Sequence, residues 1–466
     1  MSIKQMVILS VVVVALVFIV TFASQYLGSE PKQSSGNPKS VVPVKYLKFP
    51  QGTTYGPADE TAKDAQPPIH ERSLAGHHDY WFENDSGVPV KLGVVSKSCK
   101  CSKVEVCVLP EEKWKGVAES QRASLAQSAE WKTLLEAQQE RDSATIPAGG
   151  AGWLRLAWDG EKQGRERLTA TLWIEGPSGR TTEELAAEIL FLDPVVCQEE
   201  DKVQNPGIAL IRLDEKYVGK VGGAEVGKAS FICWSATRPD FTLQPDPDSR
   251  PHPCIIVNQP EKLSAASCEE LAKKINLPVR TAYRLAIEVR EQVERIDEKT
   301  GQPRIYQLDQ GLFRYPVHLK SSAGPVTVHL MGEVEGPVIV ETPDGRSRID
   351  LGSFPMSEDR VEIIKLYTSE PDLEVRLDGE RTRATPFFQV KEPKEIPQPR
   401  GKAWHVELTI PANTAEGPFP NRSKTAKPGY DDCAVYLTIH KKGEAGEKPD
   451  QPVRRIRIPI YGNATR

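Results

Sequence analysis

Short segments in which apolar and polar residues alternate, each closed by turn formers, constrain this chain more than any other feature. In "HHDYWFENDSGVPVKLGVV" the side chains alternate over 80–83, turn formers fill 84–87, and apolar residues alternate again at Val88, Val90 and Leu92. Two such segments around a turn predict a β-hairpin. The segments "IPAGGAGWLRLAWDG" and "RLTATLWIEGPSGRTTEELAAEILFL" continue the pattern. Short strands with turns at close spacing predict an all-β chain built from β-sandwiches.

The first of these segments resembles a bacterial Ig-like family, the domain of unknown function 1573. That family has an aromatic strand, an Asn–Gly turn, a strand with Pro and aliphatic residues, and then a Ser-Cys-Gly-Cys signature. Here "YWFENDSGVPVKLGVVSKSCKC" and "IPAGGAGWLRLAW" are similar to its two parts, and the Ser-Cys-x-Cys signature falls at 98–101. Lys100 stands where the family has Gly. The resemblance covers roughly residues 77–195. It implies an exported Ig-like domain with no established catalytic residues.

An internal repeat extends this fold to the rest of the chain. "TAYRLAIEVR" parallels "KAWHVELTIP", and "GPVTVHLMGEVEG" parallels "QPVRRIRIPIYGN", at a spacing of about 120 to 130 residues. The alternation predicts two sets of core-facing residues: Tyr283, Leu285, Ile287 and Val289, and Trp404, Val406, Leu408 and Ile410. We therefore predict three Ig-like β-sandwich domains in series, over 67–195, 203–335 and 336–466.

Two small helical insertions are predicted within these domains. Residues 111–142 are rich in Ala, Glu, Gln and Lys, which favours a helical insertion in the first domain. A second insertion at 264–275 is predicted to begin with a capping box from Ser267 to Glu270.

The run Met6–Ala23, "MVILSVVVVALVFIVTFA", contains no charged residue. As a helix, its length of roughly 27 Å is close to the thickness of a bilayer core. A cleaved signal peptide would have a shorter apolar core, although Thr21 and Ala23 could form a weak cleavage site. We predict an uncleaved signal anchor, a transmembrane helix, within 1–27. A flexible tether is predicted over 28–66, which is rich in Pro, Gly, Ser and Lys and in which "VVPVKYL" could dock as a strand onto the first domain.

Charges around this run leave its orientation open. Lys4 favours a cytoplasmic start, whereas Lys32, Lys39, Lys45 and Lys48 argue for the opposite orientation. The resemblance to an exported family favours a single pass through the cell (inner) membrane, with the bulk of the chain on the extracytoplasmic, periplasmic side. The formal net charge of -4 provides no field that would gather nucleic acid.

Three cysteines within nine residues, Cys99, Cys101 and Cys107, are open to three interpretations. The structural one places them at a strand end, packed or disulfide-bonded in an oxidising compartment. If Val104 and Val106 face the core, Cys107 faces outward on the same strand.

A soft-metal site for copper or zinc is the second interpretation of this cluster. His77 and His78 could complete the ligand set, although two adjacent histidines on a strand point to opposite faces. Thiol redox chemistry is the third, because neighbouring lysines would lower a thiol pKa, but no Cys-x-x-Cys motif is present.

The pairing of the remaining cysteines cannot be deduced from sequence. Cys233 and Cys254 flank a loop rich in Pro and Asp and could close it, and Cys433 is predicted to face a core as a buried thiol. Cys197 and Cys268 are scattered among other segments.

The usual sequence signatures of hydrolases, phosphate-binding loops, zinc proteases and dinucleotide-binding folds are missing from the chain. We therefore predict a non-catalytic scaffold or binding protein of the cell envelope, anchored in the membrane, without cofactor or metal. Its expected partner is a protein or an envelope polymer. The alternative is a thiol-dependent metal-binding or redox protein that uses Cys99, Cys101 and Cys107.

Overall fold

The structure is a computed structural model. It describes residues 45–466 apart from 58–65, 73, 101, 128–129, 137–141, 160–163, 207–213, 224, 250, 298–299, 343–346, 383–386, 421–432 and 443–451. The predicted anchor Met6–Ala23 lies outside the described residues. Within the described residues, no helix has the length and apolar character needed to cross a membrane.

The first pair of sheets follows from the alternating segments at the start of the folded chain. Its strands are β1 (Thr54–Tyr55), β2 (Ile69–Glu71), β3 (Gly76–Glu83), β4 (Val90–Lys97), β5 (Ser102–Leu109), β6 (Lys132–Leu134), β7 (Ala144–Ile146), β8 (Ala151–Trp158), β9 (Gly164–Gly176) and β10 (Gly179–Leu192). One sheet has the order β1-β10-β9-β4-β7 with β2 also on β10, and the other has the order β3-β8-β5-β6. Their facing side chains, such as Phe82, Leu92, Val104 and Leu172, form the first core.

Part of the predicted tether belongs to this sheet pair. Tyr46 and Leu47 are buried in the first core, and Lys48 bridges to Glu83. Strand β1 pairs in parallel with β10. The prediction of a flexible tether over 28–66 is therefore wrong for residues 45–57. Tyr46 and Leu47 of "VVPVKYL" do dock onto this sheet pair, but residues 45–47 are not a strand, and 41–44 lie outside the described residues.

The second pair of sheets begins earlier than predicted. Its strands are β11 (Val196–Glu199), β12 (Glu215–Val221), β13 (Gly227–Ser235), β14 (Leu243–Pro245), β15 (Ile255–Val257), β16 (Glu261–Lys262), β17 (Thr281–Val289), β18 (Gln292–Ile296), β19 (Pro303–Gln307), β20 (Gly311–Ser321) and β21 (Val326–Val334). The sheets have the orders β11-β13-β17-β15, with β16 on β17, and β12-β21-β20-β14, and β18-β19 is a separate hairpin. Because β11 pairs with β13, the boundary predicted at 203 is too late.

The third pair of sheets repeats this arrangement. Its strands are β22 (Ile339–Glu341), β23 (Ile349–Pro355), β24 (Arg360–Thr368), β25 (Leu373–Leu377), β26 (Gln389–Val390), β27 (Lys394–Ile396), β28 (Lys402–Ile410), β29 (Gly417–Phe419), β30 (Ala434–Lys441) and β31 (Arg454–Thr465). The orders are β22-β24-β28-β26, with β27 on β28, and β23-β31-β30-β25, with β29 on β31.

The sequence repeat is thus a repeat of topology. Strands β12 and β23 each pair in parallel with the closing strand, β21 or β31, and each pairing contains a register shift. All eight residues predicted to face the two cores are buried there. The chain is predominantly β, with paired sheets whose strand order is that of Ig-like sandwiches. Independent folding of the three pairs stays a prediction.

The insertion at 111–142 is only partly helical. It contains α1 (Glu111–Trp114) and α2 (Glu119–Gln127), and then supplies β6 as an edge strand beside β5. A polar composition alone did not distinguish its helical half from its strand.

The second insertion forms the helix α3 (Ala265–Ile275), as predicted. Its N-cap is Ser264, whose hydroxyl accepts the N–H of Ser267, so the predicted capping box from Ser267 is three residues too late. The helix ends at Asn276, which has a left-handed backbone with φ of 53°. The shorter helices are α4 (Gly379–Thr382) and a 3-10 turn at Glu200–Lys202.

Candidate functional site

The described part of the Ser-Cys-x-Cys segment, residues 98–100, lies in a hydrogen-bonded turn between β4 and β5. The Ser98 N–H donates to the Thr169 carbonyl at 2.9 Å, and the Thr169 N–H donates to Ser98 Oγ at 2.8 Å. The Cys99 carbonyl accepts from the Ser102 N–H at 3.2 Å and from its hydroxyl at 2.8 Å. Lys97 Nζ donates to the Ser102 carbonyl at 2.7 Å. The turn is therefore held both by bonds among Lys97, Cys99 and Ser102 and by the backbone of Thr169 on β9.

Cys99 is disulfide-bonded and packs against the first core. Cys101 lies outside the described residues. A sulfur in a disulfide is not a thiolate, and the thiolate is the form that binds metals and attacks electrophiles. The state of Cys99 favours the structural interpretation at this position.

Cys107 turns away from the first core, as its place in the strand predicts, but it is not exposed. Its relative exposure is 1% because the insertion covers this side of the sheet. Strand register aligns Cys107 with Trp153, and Trp153 with Trp81. We call the residues buried here the tryptophan cluster: Trp81, Cys107, Leu109, Ala151 and Trp153, with Trp114, Leu125, Ala126 and Trp131 packed against them from the insertion.

An arginine from the insertion closes one side of the tryptophan cluster. The Arg122 guanidinium lies 4.7 Å from the ring centroid of Trp81 and 5.5 Å from that of Trp114. It also contacts the Glu83 carboxylate at 3.3 Å, and Trp81 Nε1 donates to the same carboxylate at 2.8 Å. These contacts stabilise the insertion on the sheet by cation–π attraction and ion pairing.

A second arginine closes the other side. Arg155 donates to both carboxylate oxygens of Asp79, at 2.8 and 2.9 Å, and its guanidinium lies 3.9 Å from the Trp131 ring centroid. Burial, and after it the negative charge of Asp79, raises the pKa of the Cys107 thiol. Cys107 is therefore a protonated, enclosed thiol at neutral pH, which is the opposite of a reactive cysteine.

The two histidines proposed as metal ligands lie on strand β3 of the same sheet and point to opposite faces. His78 stacks on Tyr55 at 3.8 Å between ring centroids, and its burial lowers its pKa. His77 is 49% exposed and lies 3.8 Å from the Asp79 carboxylate. Strand β8 separates β3 from β5, which places these histidines roughly 9 to 10 Å from the backbone of the Cys107 strand.

The structure does not bring these histidines to Cys107. Within the part of the chain that the structure describes, no three His, Cys, Asp or Glu side chains form a group that could hold a metal ion.

The disulfide of the second sheet pair joins Cys197 and Cys233. These residues lie directly opposite each other on β11 and β13, with a Cα–Cα distance of 4.1 Å. Cys233 and Cys254 could have closed the loop between them, but Cys233 is bonded to Cys197 instead. Cys254 is buried, and its thiol donates to the carbonyls of Tyr306 and Glu291 at 3.3 and 3.5 Å. Burial raises its pKa to about 11.

The joint between the first and second sheet pairs is an apolar cluster beside an ion pair whose carboxylate is buried and whose arginine is half exposed. The cluster contains Leu190, Leu192, Val203, Ile232, Trp234, Ala236, Cys268, Ile275, Leu277 and Ala282. Glu71, which is 7% exposed, accepts from Arg238 Nε at 2.7 Å and Nη2 at 2.5 Å, and from the Thr237 hydroxyl. Burial raises the pKa of Glu71, but these hydrogen bonds and the charge of Arg238 outweigh it, so the pKa lies below its usual value.

The joint between the second and third sheet pairs is more polar. Arg454, which is 7% exposed, pairs with Glu291, and Arg381 pairs with Asp309 at 2.8 Å. The Gln310 N–H donates across the joint at 2.8 Å to a backbone carbonyl of the third pair. Side chains on both sides of each joint are thus held in specific pairs.

The three repeats differ in what covers the outer face of one sheet. The insertion with α1 and α2 covers it in the first repeat, and the joint cluster with α3 covers it in the second. In the third repeat the corresponding strand β24 leaves Val361 at 50% and Ile363 at 48% exposure, and Ile339 of β22, which lies opposite Tyr367 of β24, is 67% exposed.

Sequence reasoning missed the tryptophan cluster and both joints. Trp114 and Trp131 in an otherwise polar insertion are the signal that could have indicated a covered face. The ion pairs of the joints join residues more than 70 positions apart, for which a single sequence contains no signal.

No family model matches this chain, and no curated protein matches it. The chain is similar to solved structures at low identity. The ASH / PapD-like domain of human CEP192 is 12% identical over 35% of this chain and 98% of that domain, with a TM-score of 0.20. An I-band fragment of titin is 9% identical over 86% of this chain and 97% of its own, with a TM-score of 0.18. The C-terminal domain of the Streptococcus pyogenes antigen I/II-family protein AspA is 8% identical over 59% and 97%, with a TM-score of 0.26.

These TM-scores are low, so the description of the fold depends on the sheets themselves. The family resemblance at 98–101 stays a prediction.

Proposed function

We propose that this chain is a non-catalytic scaffold or binding protein of the cell envelope, with no cofactor or resident metal. Its N-terminal apolar run would anchor it in the cell membrane by a single pass, and the sheet pairs would lie on the periplasmic side. It would contact a protein or an envelope polymer rather than nucleic acid. The family resemblance at 98–101 supports the extracytoplasmic placement.

The observation that carries this proposal is the construction of the two joints. Each joint contains a carboxylate–guanidinium pair: the buried Glu71 with the half-exposed Arg238 in the first, and Glu291 with the buried Arg454 in the second. A buried pair with good geometry contributes specificity to an interface by penalising other arrangements. Sheet pairs held at fixed orientations by such joints could present binding surfaces to partner molecules at fixed positions, as a scaffold does.

The states of the cysteines also support a non-catalytic role over thiol chemistry. Cys99 is in a disulfide, and Cys107 is enclosed with a raised pKa. The partly exposed apolar residues Val361 and Ile363 on the third repeat support a binding role, because the equivalent faces of the other repeats are covered.

Membrane fractionation tests the anchor. The full chain should remain with membranes after washing at high salt and at alkaline pH. The variant Val14→Arg places a charge at the centre of the apolar run, which disfavours insertion by about 2.5 to 3.5 kcal/mol, and should release a measurable soluble fraction. A chain that is soluble without the substitution would contradict the proposed anchor.

Protease accessibility tests the orientation. Protease added to the periplasmic side should digest the chain beyond residue 30, while a cytoplasmic marker remains intact. Protection of the whole chain, with digestion only after the membrane is broken, would place the sheet pairs in the cytoplasm and overturn the proposed localisation.

The modular part of the proposal has its own test. A fragment that begins at Gly336 should retain a circular dichroism spectrum of β type, because its core is separate from the other two. A cut between the first and second pairs should fall before Val196, since β11 contains Cys197. A wholly unfolded fragment from Gly336 would contradict a series of independent modules.

A further inference from the structure

The second and third repeats share a row of four side chains on the outer face of one sheet. Strand register aligns the members of each row across neighbouring strands. In the second repeat the row contains Val196, Trp234, Ala282 and Leu263, and in the third repeat it contains Ile339, Tyr367, Ala403 and Ile396. All eight residues are apolar or aromatic, so covering either row would remove apolar surface from water.

The second repeat covers its row with an amphipathic helix and with the end of the first sheet pair. The row belongs to the joint cluster, which also contains Cys268 and Ile275 of α3 and Leu190 of β10. Trp234 is 0% exposed as a result. Cys268, Leu271 and Ile275 fall at i, i+3 and i+7, which is the spacing of one helix face.

Among the described residues, the third repeat has no such cover. A segment that contains α3 joins β16 to β17, whereas only residues 397–401, "PQPRG", join β27 to β28. Two prolines in so short a connection leave no room for a helix. Ile339 is 67% exposed, and Ile363 and Val361 continue the apolar surface along β24.

The larger members of this row supply its exposed apolar surface. Ala403 is small and lies between Tyr367 and Ile396, and it is 0% exposed. Tyr367 and Ile396 are half-buried. Ile339 also lines a cleft of about 810 Å³ at the second joint, so the row continues an interface between sheet pairs without being closed by it.

The adjoining row indicates which charge a partner would carry. Lys365, His405 and Lys394 lie side by side on β24, β28 and β27. Both lysines are exposed, and neither forms an ion pair with a described carboxylate. Glu341 is opposite Lys365 in the register but does not pair with it, and Glu407 is already paired with another lysine at 2.6 Å. Two positive charges on this face are therefore without a partner among the described residues.

The second repeat balances the charge at the equivalent positions. These positions hold Ile232, Arg284 and Glu261. Arg284 lies opposite Glu261 and also pairs with Glu200 at 2.9 Å. The excess of positive charge is thus a property of the third repeat, where an acidic partner would compensate it.

A short helix has the right length for this surface. The row crosses three strand spacings of about 4.8 Å, or roughly 14 Å. About 10 residues of helix span that distance at about 1.5 Å per residue. The helix α3, which covers the equivalent row, has 11 residues.

We propose that this face of the third repeat binds an amphipathic α-helix of a partner protein. An apolar stripe on that helix covers Ile339, Tyr367 and Ile396, and carboxylates beside the stripe pair with Lys365 and Lys394. The third repeat then receives from a partner the kind of helix that the second repeat contains in its own chain. This inference rests on the proposed binding role and names the class of partner for it.

Peptides made from the sequence of α3 test the proposal. Each spans residues 264–279, carries Cys268→Ala, and is held helical by a lactam between the side chains of Glu269 and Lys273. The lactam is needed because an isolated helix of this length is marginally stable in water. Binding is measured by the fluorescence anisotropy of labelled peptide, with the full chain in nanodiscs of zwitterionic lipid.

Three versions of the peptide separate charge from apolar contact. Lys274→Glu gives an acidic peptide, and Glu270→Lys gives a basic one. Leu271→Ser with Ile275→Ser removes the apolar stripe from the acidic peptide. The acidic peptide should bind saturably, and less tightly as salt is raised. The other two should bind about fivefold or more weakly.

A pair of isoleucine variants locates the apolar part of the site. Ile339→Ser should weaken binding of the acidic peptide about fivefold. Ile305 is 66% exposed on the β18–β19 hairpin, so Ile305→Ser removes a similar side chain elsewhere and should leave binding unchanged. Bound peptide should slow hydrogen exchange over β22 and β24 and not over β18 and β19.

A pair of double variants locates the charged part. Lys365→Glu with Lys394→Glu should weaken binding of the acidic peptide about tenfold, because two attractions become repulsions. Lys228 and Lys320 are exposed lysines of the second repeat. Lys228→Glu with Lys320→Glu makes the same change in net charge and should leave binding unchanged.

Several results would overturn this assignment. Equal binding of the basic peptide, or of the peptide without the stripe, would remove the charge or the apolar contact from the argument. Unchanged binding in Ile339→Ser would place the helix elsewhere. Self-association of the full chain in detergent, measured by sedimentation velocity and abolished by Ile339→Ser, would assign the face to a second copy of the chain.

Failure of this inference is distinguishable from failure of the proposed function. If none of the peptides binds, the helical partner is rejected, while the membrane and protease tests keep their own outcomes. A chain that is released from membranes would contradict the proposed anchor without altering peptide binding at Ile339.

Discussion

Cys107 should matter to the stability of the first sheet pair and not to its chemistry. It is 1% exposed, and the side chains around it in the tryptophan cluster are apolar or aromatic. Cys107→Ser would bury a hydroxyl among them, at a cost of about 1 to 3 kcal/mol. Cys107→Ala removes only the sulfur and leaves a small void, which costs about 1 kcal/mol. We therefore expect the serine variant to be the less stable of the two.

Hydrogen exchange over β5 and β8 measures this difference locally, without assuming that the whole chain unfolds in one step. A loss of 1 to 3 kcal/mol corresponds to opening that is about 5 to 150 times more frequent. In Cys107→Ser the amides of these two strands should therefore exchange faster by a factor in that range. Exchange over the third sheet pair, at β24 and β28, should not change. Cys107 should also resist alkylation in the native chain, since burial raises its pKa.

Three results would refute this reasoning. Exchange in the serine variant that is as slow as in wild type would mean that the hydroxyl finds a partner or that the cluster opens to water. Rapid alkylation of Cys107 in the folded chain would mean that the insertion does not cover it. A greater loss from Cys107→Ala than from Cys107→Ser would show that packing volume outweighs polarity at this position.

Three further predictions concern other parts of the chain. Cys197→Ser breaks the cross-strand disulfide and should destabilise the second sheet pair by about 2 to 5 kcal/mol, measured by hydrogen exchange over β11 and β13, with no effect on the first pair. The pKa of Glu71 is lowered in the folded state, so the stability from its pairing with Arg238 is present at neutral pH and is lost as the pH falls from about 4.3 through the lowered pKa. The rate of proteolysis near the first joint should therefore increase as the pH falls over that range. Glu71→Gln should abolish this pH dependence of the proteolysis rate. Gly152→Ala would place a Cβ 1.9 Å from the Cys107 carbonyl oxygen, which forces β5 and β8 apart and should cost at least about 2 kcal/mol in thermal or chemical unfolding.

Alternation of side chains was sufficient to predict which residues face the cores. It identified Tyr283 to Val289 and Trp404 to Ile410 as inward at every second position, and all are buried. The same pattern placed Cys433 inside, where the third core contains it. Period-two patterning works here because each strand has one buried face and a one-residue slip would expose its apolar set.

What covers the other face of a sheet could not be predicted in this way. The outward direction of Cys107 was correct, but its burial depends on an insertion that begins four residues later and folds back. The pairing of Cys197 with Cys233 depends on which strands become neighbours, and this is a property of the sheet and not of the segment.

The parallel pairing of β12 with β21 and of β23 with β31 has a mechanical consequence. In the second repeat the disulfide between Cys197 and Cys233 closes a loop that contains β12, so tension bypasses that strand. In the third repeat the chain reaches β23 after the short strand β22 and leaves at the end of β31, so tension between the two ends pulls β23 and β31 past each other. The hydrogen bonds of the ladder then lie across the direction of the force. Several of them must break together before either strand slides, whereas antiparallel ends pulled apart from one side would open one bond at a time. The third repeat should therefore resist stretching along the chain and yield abruptly once its ladder breaks.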